Sequence, residues 1–370
     1  MGRIIDRLMK NIIVLGMHRS GTSMVTGLLS KLGYYVGAPE ELTNTSEENP
    51  KGFFERKDVR NINDELLIGN DFDWYKVAGF TTDSLTDSSV HKYKEEISGV
   101  FNLLRKKGPF AIKEPRLCLL YLIFKEMVRD DIKLLVYRDP IESAESLLKR
   151  NKFPLHFGLA LWEKYHKALF NSLSNDHLIL VNYNKLLNDP KAEVQNLVNS
   201  INSLSGDDIA LEQGALDFIC PELYRSNKYK KYGVGYLTDS QKYIWNQLKN
   251  FDQSKTLRSP ENPLMEVVLE THQELMEEYL QQKAIINSQR KDLKESKEAF
   301  AKFRKSHRLE VKFLLDSIRI FHGRHLSYKR SLIFRIKDMI RKGHLKYIDD
   351  RYEDVFSKFP EVTGERKVNQ

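Results

Sequence analysis

Asn11-Ile12-Ile13-Val14-Leu15-Gly16-Met17-His18-Arg19-Ser20-Gly21-Thr22-Ser23 is the stretch that decides how the rest of the chain is read. A short apolar run ends at one glycine and a second glycine closes the polar loop. Val25, Leu28, Leu29 and Leu32 then recur at helical spacing before Gly33. The order is strand, glycine loop, helix. Such a turn points successive backbone N–H groups and the positive end of a helix dipole at one place, so it forms a cradle for an anion such as phosphate.

Three further apolar runs repeat the strand pattern. Phe110 to Lys113 is stopped by Pro115, Ile132 to Tyr137 ends at Arg138-Asp139-Pro140, and Leu178 to Val181 ends before Asn182-Tyr183. Pro140 suits the first turn of a helix running through Ser143 and Leu148. Helices are also predicted near 155–173, 191–203 and 239–250. Continuous apolar strands alternating with helices predict an α/β fold, a parallel sheet flanked by helices, with ligand sites at the C-terminal strand ends. Arg19, Lys113 and Arg138 fall at or just past such ends. Residues 35–95 carry little periodicity and read as excursions over the sheet top.

The loop departs from the Walker A pattern G-x-x-x-x-G-K-[ST] at one position. Both glycines fit, but Thr22 stands where the lysine that reaches a γ-phosphate belongs, and the nearest basic group is Arg19. This argues against an NTPase or kinase. Glycine-rich strand-to-helix turns also occur without ligands, so the loop alone does not settle a function.

His18-Arg19-Ser20-Gly21-Thr22-Ser23 resembles the 5′-phosphosulfate loop of sulfotransferases, which use PAPS (3′-phosphoadenosine 5′-phosphosulfate) and carry Lys or Arg before Ser-Gly-Thr. Arg138-Asp139-Pro140 followed by Ser146 resembles the family's 3′-phosphate clasp, an arginine at a strand end with a serine eight residues on. Ile112-Lys113-Glu114-Pro115-Arg116 is similar to the Lys-Asp-Pro segment of carbohydrate and tyrosylprotein members. Tyr183-Asn184-Lys185-Leu186-Leu187-Asn188-Asp189-Pro190 is similar to their Tyr-Glu-Asp-Leu-Leu-x-Asp-Pro, with Asn184 in place of the usual Glu. The similarity spans roughly residues 11–250. The Gly-x-x-Gly-x-x-Lys element of small-molecule members is not evident, and Tyr229-Lys230-Lys231-Tyr232-Gly233 is the candidate to take its place over the nucleotide.

The resemblance implies a P-loop-like fold and transfer of a sulfuryl group from PAPS, leaving PAP (the 3′,5′-bisphosphate), to a hydroxyl of a carbohydrate, a surface polysaccharide or glycolipid. Gly16, His18, Arg19, Ser20, Gly21, Thr22, Ser23, Arg138 and Ser146 are then the nucleotide-binding residues. Arg19 and Lys113 would serve the leaving oxygen. Glu55 is the candidate base, in Asn49-Pro50-Lys51-Gly52-Phe53-Phe54-Glu55, which resembles the Asn-Pro-x-Gly-x-x-Glu stretch of bacterial members. A sulfuryl group carries less charge than a γ-phosphoryl, so fixed cations can stand in for magnesium and no metal is expected. Glu114 is expected to pair with Arg116 or a loop lysine. Trp74, Tyr75 and Trp162 are candidates either to stack on sugar or to fill the core. The competing functions are a P-loop kinase with a degenerate loop and a non-catalytic assembly protein.

Composition sets the frame. The 370 residues, 41% of them hydrophobic, suffice for one large domain and an appendage, predicted as 1–260 and 261–370. Net charge is +8 but regional: residues 281–346 hold 19 Lys and Arg against 6 Asp and Glu, and the remainder is acidic. A nucleic-acid partner for the whole protein loses its support. Two cysteines, Cys118 and Cys220, point to a reducing compartment and to buried thiols. With no secretion signal, myristoylation motif or long apolar run, a cytoplasmic protein is expected, peripheral at the inner membrane face. The C-terminal extension is predicted helical and partly coiled-coil-like. Met265, Tyr279, Ile286, Leu293, Phe300, Leu314 and Phe321 occupy one heptad seam, so a homo-oligomer through 265–321 is expected. Leu332, Ile333, Ile336, Met339 and Ile340 form an apolar stripe opposite basic residues, a pattern for peripheral membrane contact.

Overall fold

The run after Asn11 becomes strand β1 (Ile12–Leu15), buried along its whole length. The structure, a computed structural model, describes residues 9–45, 52–211, 213–219, 233–252, 254 and 256–320. The other apolar runs become β2 (Ala111–Lys113), β3 (Ile132–Tyr137) and β4 (Leu178–Asn182). Among the described residues they form one four-stranded parallel sheet in the order β2-β1-β3-β4. The connection leaving β1 leads to β2 on one side and the connection leaving β3 leads to β4 on the other. The order therefore reverses between β1 and β3, and the crevice above that point is where open α/β sheets bind ligands.

Continuous apolar strands follow from burial on both faces. Ile13, Leu15, Ile112 and Leu135 face one core, Ile12, Val14, Leu134 and Val136 the other. The first core is covered by α2 (Lys57–Ile68), α3 (Asp87–Arg105), α4 (Leu117–Phe124) and α6 (Leu155–Phe170), the second by α1 (Thr22–Lys31) and α8 (Pro190–Ser205). Leu147 of α5 (Pro140–Asn151) and Ile244 and Leu248 of α10 (Asp239–Lys249) add to the first core, and Leu186 and Leu187 of α7 (Tyr183–Asn188) and Ala215 of α9 (Gln213–Asp217) to the second. Asp139 caps α5 by accepting from the N–H groups of Ile141 and Glu142, with Pro140 in the first turn as the sequence predicts.

The reading of 35–95 as loop excursions is corrected by α2 and α3. Val59, Asn63, Leu66 and Leu67 of α2, and Tyr93, Ile97, Val100, Phe101 and Leu104 of α3, do recur at helical spacing and are buried. Interleaved charges dilute that stripe in the sequence.

The chain divides into two compact units, 1–276 and 277–370. The long helix α11 (Pro263–Ile320) begins before the division. Its opening turns belong to the first unit because Met265 and Leu269 are buried there and Glu266 Oε1 takes an ion pair from Lys164 Nζ at 2.6 Å. In the second unit the seam residues Tyr279, Ile286, Leu293 and Phe300 are exposed. No helix among the described residues is long and apolar enough to cross a membrane. Cys220, Asn49 to Lys51, Tyr229 to Tyr232, Phe321 and the stripe Leu332 to Ile340 lie outside the described residues.

Candidate active site

The glycine loop sits at the reversal point and its geometry demands its glycines. Gly16 has φ 151° and Gly21 φ 93°. A Cβ on Gly16 would lie 2.5 Å from the Val136 carbonyl oxygen of the neighbouring strand, and one on Gly21 would lie 2.0 Å from the Tyr183 ring. Arg19 itself is left-handed, with φ 69°. A bulky residue takes that conformation only where its surroundings enforce it, and such strain collects at functional sites. Gly21 caps α1 without a side-chain acceptor and no acidic residue occupies the first turn, which leaves the helix N-terminus suited to an anion. Behind the loop, the Gly16 N–H donates to Cys118 Sγ at 3.0 Å, and burial pushes that thiol up to about 12. Ser20 Oγ is buried and has no partner among the described residues.

The two motifs that the sequence offers as candidate anion sites meet here. Arg19 Nε donates to Ser146 Oγ at 2.8 Å, and Arg138 Nη1 donates to the Arg19 carbonyl at 3.3 Å. Arg138 is nearly buried; its Nε reaches Glu142 Oε2 at 3.1 Å, and its guanidinium lies 4.9 Å from the centre of the Tyr183 ring. Asn184 has a visible task. Its amide donates to Glu142 Oε2 at 2.9 Å and its carbonyl accepts from the Asp139 N–H at 3.3 Å. A glutamate at 184 would set two carboxylates against each other, so the departure from the family motif fits the presence of Glu142.

Across the loop, Lys113 Nζ lies 2.5 Å from Glu55 Oε1 and 3.2 Å from both Ser23 Oγ and the Phe53 carbonyl. The candidate base, a cation and the phosphate loop are thus one hydrogen-bonded group. Glu114, next in sequence, turns away into the core. It accepts from Asn63 at 2.6 Å, from the Arg116 N–H at 3.0 Å and from Arg116 Nη1 at 2.5 Å, while Arg116 also pairs with Asp64. Burial pushes the Glu114 carboxyl up to about 7, against the pull of Arg116, with Glu55 adding to the rise. The expected pairing of Glu114 with Arg116 is present, and the carboxylate is tied into packing.

His18 is half-buried, its ring 4.6 Å from that of Trp74 and edge-on to Tyr165 at 5.9 Å. Its Nε2 is buried with no partner among the described residues. Burial holds its pKa well below the usual imidazole range, and the charges of Arg116, Lys113, Arg150 and Arg19 hold it lower still. The ring is neutral near pH 7. Trp74 is half-buried beside it and Tyr75 is half-buried against Trp74, 5.3 Å between ring centres, whereas Trp162 is sealed in the core and is no shelf for a sugar.

All the sequence-predicted residues around Gly16 to Ser23, Glu55, Lys113, Arg138 and Ser146 are therefore collected at the tops of β1, β2 and β3. Sequence reasoning did not find Tyr183 against Gly21, the buried Asn63, or Arg150, whose guanidinium lies 5.8 Å from the Phe53 ring centre. For Arg150 a signal existed, because Ser143, Ser146 and Arg150 share one face of α5 at helical spacing. No group of three or more His, Cys, Asp or Glu side chains able to hold a metal occurs among the described residues.

No family model matches the chain and no curated protein matches it. Solved structures do. A sulfotransferase domain of an olefin synthase from Synechococcus is similar over 71% of this chain and 94% of its own, at 15% identity and a TM-score of 0.36. A sulfotransferase domain from the curacin biosynthetic pathway is similar over 72% of this chain and 99% of its own, at 16% identity and a TM-score of 0.36. At that level of similarity the chemistry has to be read from the residues of the site itself.

Proposed function

We propose that the chain is a sulfotransferase that moves the sulfuryl group of PAPS to a carbohydrate hydroxyl. The observation that carries this reading is the junction of two separate anion-holding groups, the glycine loop with Arg19 and the Arg138 and Ser146 pair, linked by the 2.8 Å bond from Arg19 to Ser146. A nucleoside triphosphate offers one run of phosphates and asks for one cradle with a lysine. A 3′,5′-bisphosphate offers two anions on opposite sides of a ribose and asks for two. Bidentate arginine and a helix-borne hydroxyl suit a phosphate dianion.

The reaction is an in-line displacement at sulfur. The acceptor oxygen forms a bond to sulfur, the bond from sulfur to the bridging oxygen of the 5′-phosphate breaks, and the acceptor's proton passes to Glu55. Charge gathers on the bridging oxygen, where Lys113 and Arg19 would stabilise it; preorganised cations of this kind supply a large part of the acceleration in related transfers. PAP leaves. Half-buried Trp74 beside His18 and half-buried Tyr75 next to it offer aromatic surface for a sugar, which supports a carbohydrate acceptor such as a surface polysaccharide or glycolipid. The basic segment 281–346 would then hold the enzyme near an anionic membrane face.

Incubation of the full chain with 35S-labelled PAPS and a bacterial glycolipid and polysaccharide extract tests this. Label should enter a carbohydrate fraction with wild-type protein. Label entering only protein or small phenols would overturn the carbohydrate acceptor, and no transfer from PAPS to any fraction would overturn the activity.

A further inference from the structure

The segment Phe72 to Phe80 carries Trp74 over His18, and it is fastened at two places. At its near end the Tyr165 hydroxyl donates to the Trp74 carbonyl at 2.7 Å. At its far end the anchors come from α11. The Ala78 N–H donates to Gln273 Oε1 at 2.8 Å, and the Gly79 N–H donates to Glu266 Oε2 at 3.0 Å. The second oxygen of Glu266 is held by Lys164 of α6. His272, one residue before Gln273, packs its ring 3.7 Å from that of Phe157 and 5.6 Å from that of Phe153, and Phe153 in turn lies 5.6 Å from Trp74. Successive turns of α11 therefore reach the segment through bonds to its backbone at the far end and through a chain of tilted and edge-on rings at Trp74. Nothing in the phosphate chemistry calls for a helix so late in the chain to reach this place.

We propose that the opening turns of α11 are the outer support of the acceptor wall: Gln273 and Glu266 fasten the 72–80 segment, and Trp74 thereby keeps His18 dry and fixed beside the phosphate loop. Both are positioning residues. The word acceptor rests on the sulfotransferase reading; the fastening of Trp74 over His18 does not.

The groups facing His18 are Trp74, Tyr165 and the cations Arg19, Lys113, Arg116 and Arg150. Loosening the segment would admit water to the ring and screen those cations, and both changes favour the imidazolium. The test is a pH titration of His18 by 15N NMR on the full chain, alongside hydrogen exchange of the Ala78 amide. In Gln273→Ala the Ala78 amide should exchange faster and the His18 midpoint should rise toward the ordinary imidazole value. Gln273→Glu, which keeps an oxygen at the same reach, should restore slow exchange. Should the alanine variant not fold, Gln273→Asn, one methylene shorter, is read in its place. An unchanged Ala78 exchange rate would show that Gln273 does not hold the segment. Faster exchange with an unmoved His18 midpoint would show that the segment does not govern His18. Either result overturns the proposal. Failure of the wild-type protein to bind PAP would strike the sulfotransferase reading instead and leave this comparison intact.

Discussion

In the proposed function Arg138 and Glu55 separate the two tasks of the site, holding the nucleotide and moving a proton. Arg138 is buried among Glu142, Tyr183 and the Arg19 carbonyl, where a dianion lacking its charged partner is costly. Arg138→Ala should weaken PAP binding by about 2–4 kcal/mol and leave adenosine 5′-phosphosulfate, which lacks the 3′-phosphate, nearly unchanged. Calorimetry with both ligands checks this, and a preference for the 3′-phosphate that survives the mutation would remove Arg138 from the clasp. Glu55→Gln should cut turnover by about two to four orders of magnitude while PAP affinity stays within a few-fold. Near-normal turnover would shift the base to another group, with Nε2 of His18, which has no partner among the described residues, first in line. At this scale the sequence was most legible where chemistry depends on residue type and local spacing. The loop, Arg138 with Ser146, and Lys113 all stand at strand ends, and strand ends can be read from apolar runs. Asn63 could not be assigned in the same way, since it reaches the site from α2, whose placement depends on the packing of the whole sheet, whereas Tyr183 just past β4 and Arg150 on the Ser146 face of α5 were within reach of the same reasoning.

The elements tell the same story with α2 and α3 as the exception. Short strands covered on both faces leave an unmistakable apolar run, and proline marks the starts of α5 and α8. An amphipathic helix with charges between its apolar positions leaves a fainter mark, which is why 57–68 and the first half of α3, 87–95, read as loops. Within α6, His166 is buried, its Nδ1 2.7 Å from the Trp162 carbonyl and its Nε2 without a partner among the described residues. Burial lowers its pKa to about 4, only partly offset by that carbonyl. The sign follows directly. Between 6.5 and about 4 the unfolded chain binds a proton at this residue and the folded chain does not, so its contribution to stability is lost as pH falls through that window. His166→Phe should flatten the dependence of unfolding free energy on pH near 5 by up to about 1.4 kcal/mol per pH unit. Urea unfolding at a series of pH values measures it, and an unchanged slope would show that His166 is protonated in the fold. His18, whose pKa is lowered as well, contributes in the same direction and remains in the variant.

For the molecule as a whole, the division at 276–277 and the start of α11 at Pro263 do not coincide, and the difference is testable. A chain ending at Met276 keeps Met265, Leu269 and Glu266. A chain ending at Asn262 loses two buried apolar side chains, worth roughly 1.5–3 kcal/mol each, and leaves the nearly buried Lys164 without its carboxylate. The longer fragment should melt within a few degrees of the full chain and bind PAP equally well, while the shorter should melt well below both. Equal melting of the two fragments would show that α11 contributes nothing to the first unit. The regional charge pointed to an appendage from composition alone, but its boundary was hidden, because proline spacing marks where a helix begins and not which unit its first turns pack into.

The proposed function requires two phosphate sites that meet at the reversal of the sheet. Calorimetric titration of the full chain with PAP, ADP and ATP, without added metal and then with magnesium, addresses it most directly. The account predicts saturable binding of PAP with no need for magnesium, and binding of ADP and ATP weaker by at least about tenfold, since neither places a phosphate on the 3′ oxygen. Tighter binding of ATP than of PAP, strengthened by magnesium, would contradict it and return the glycine loop to a kinase.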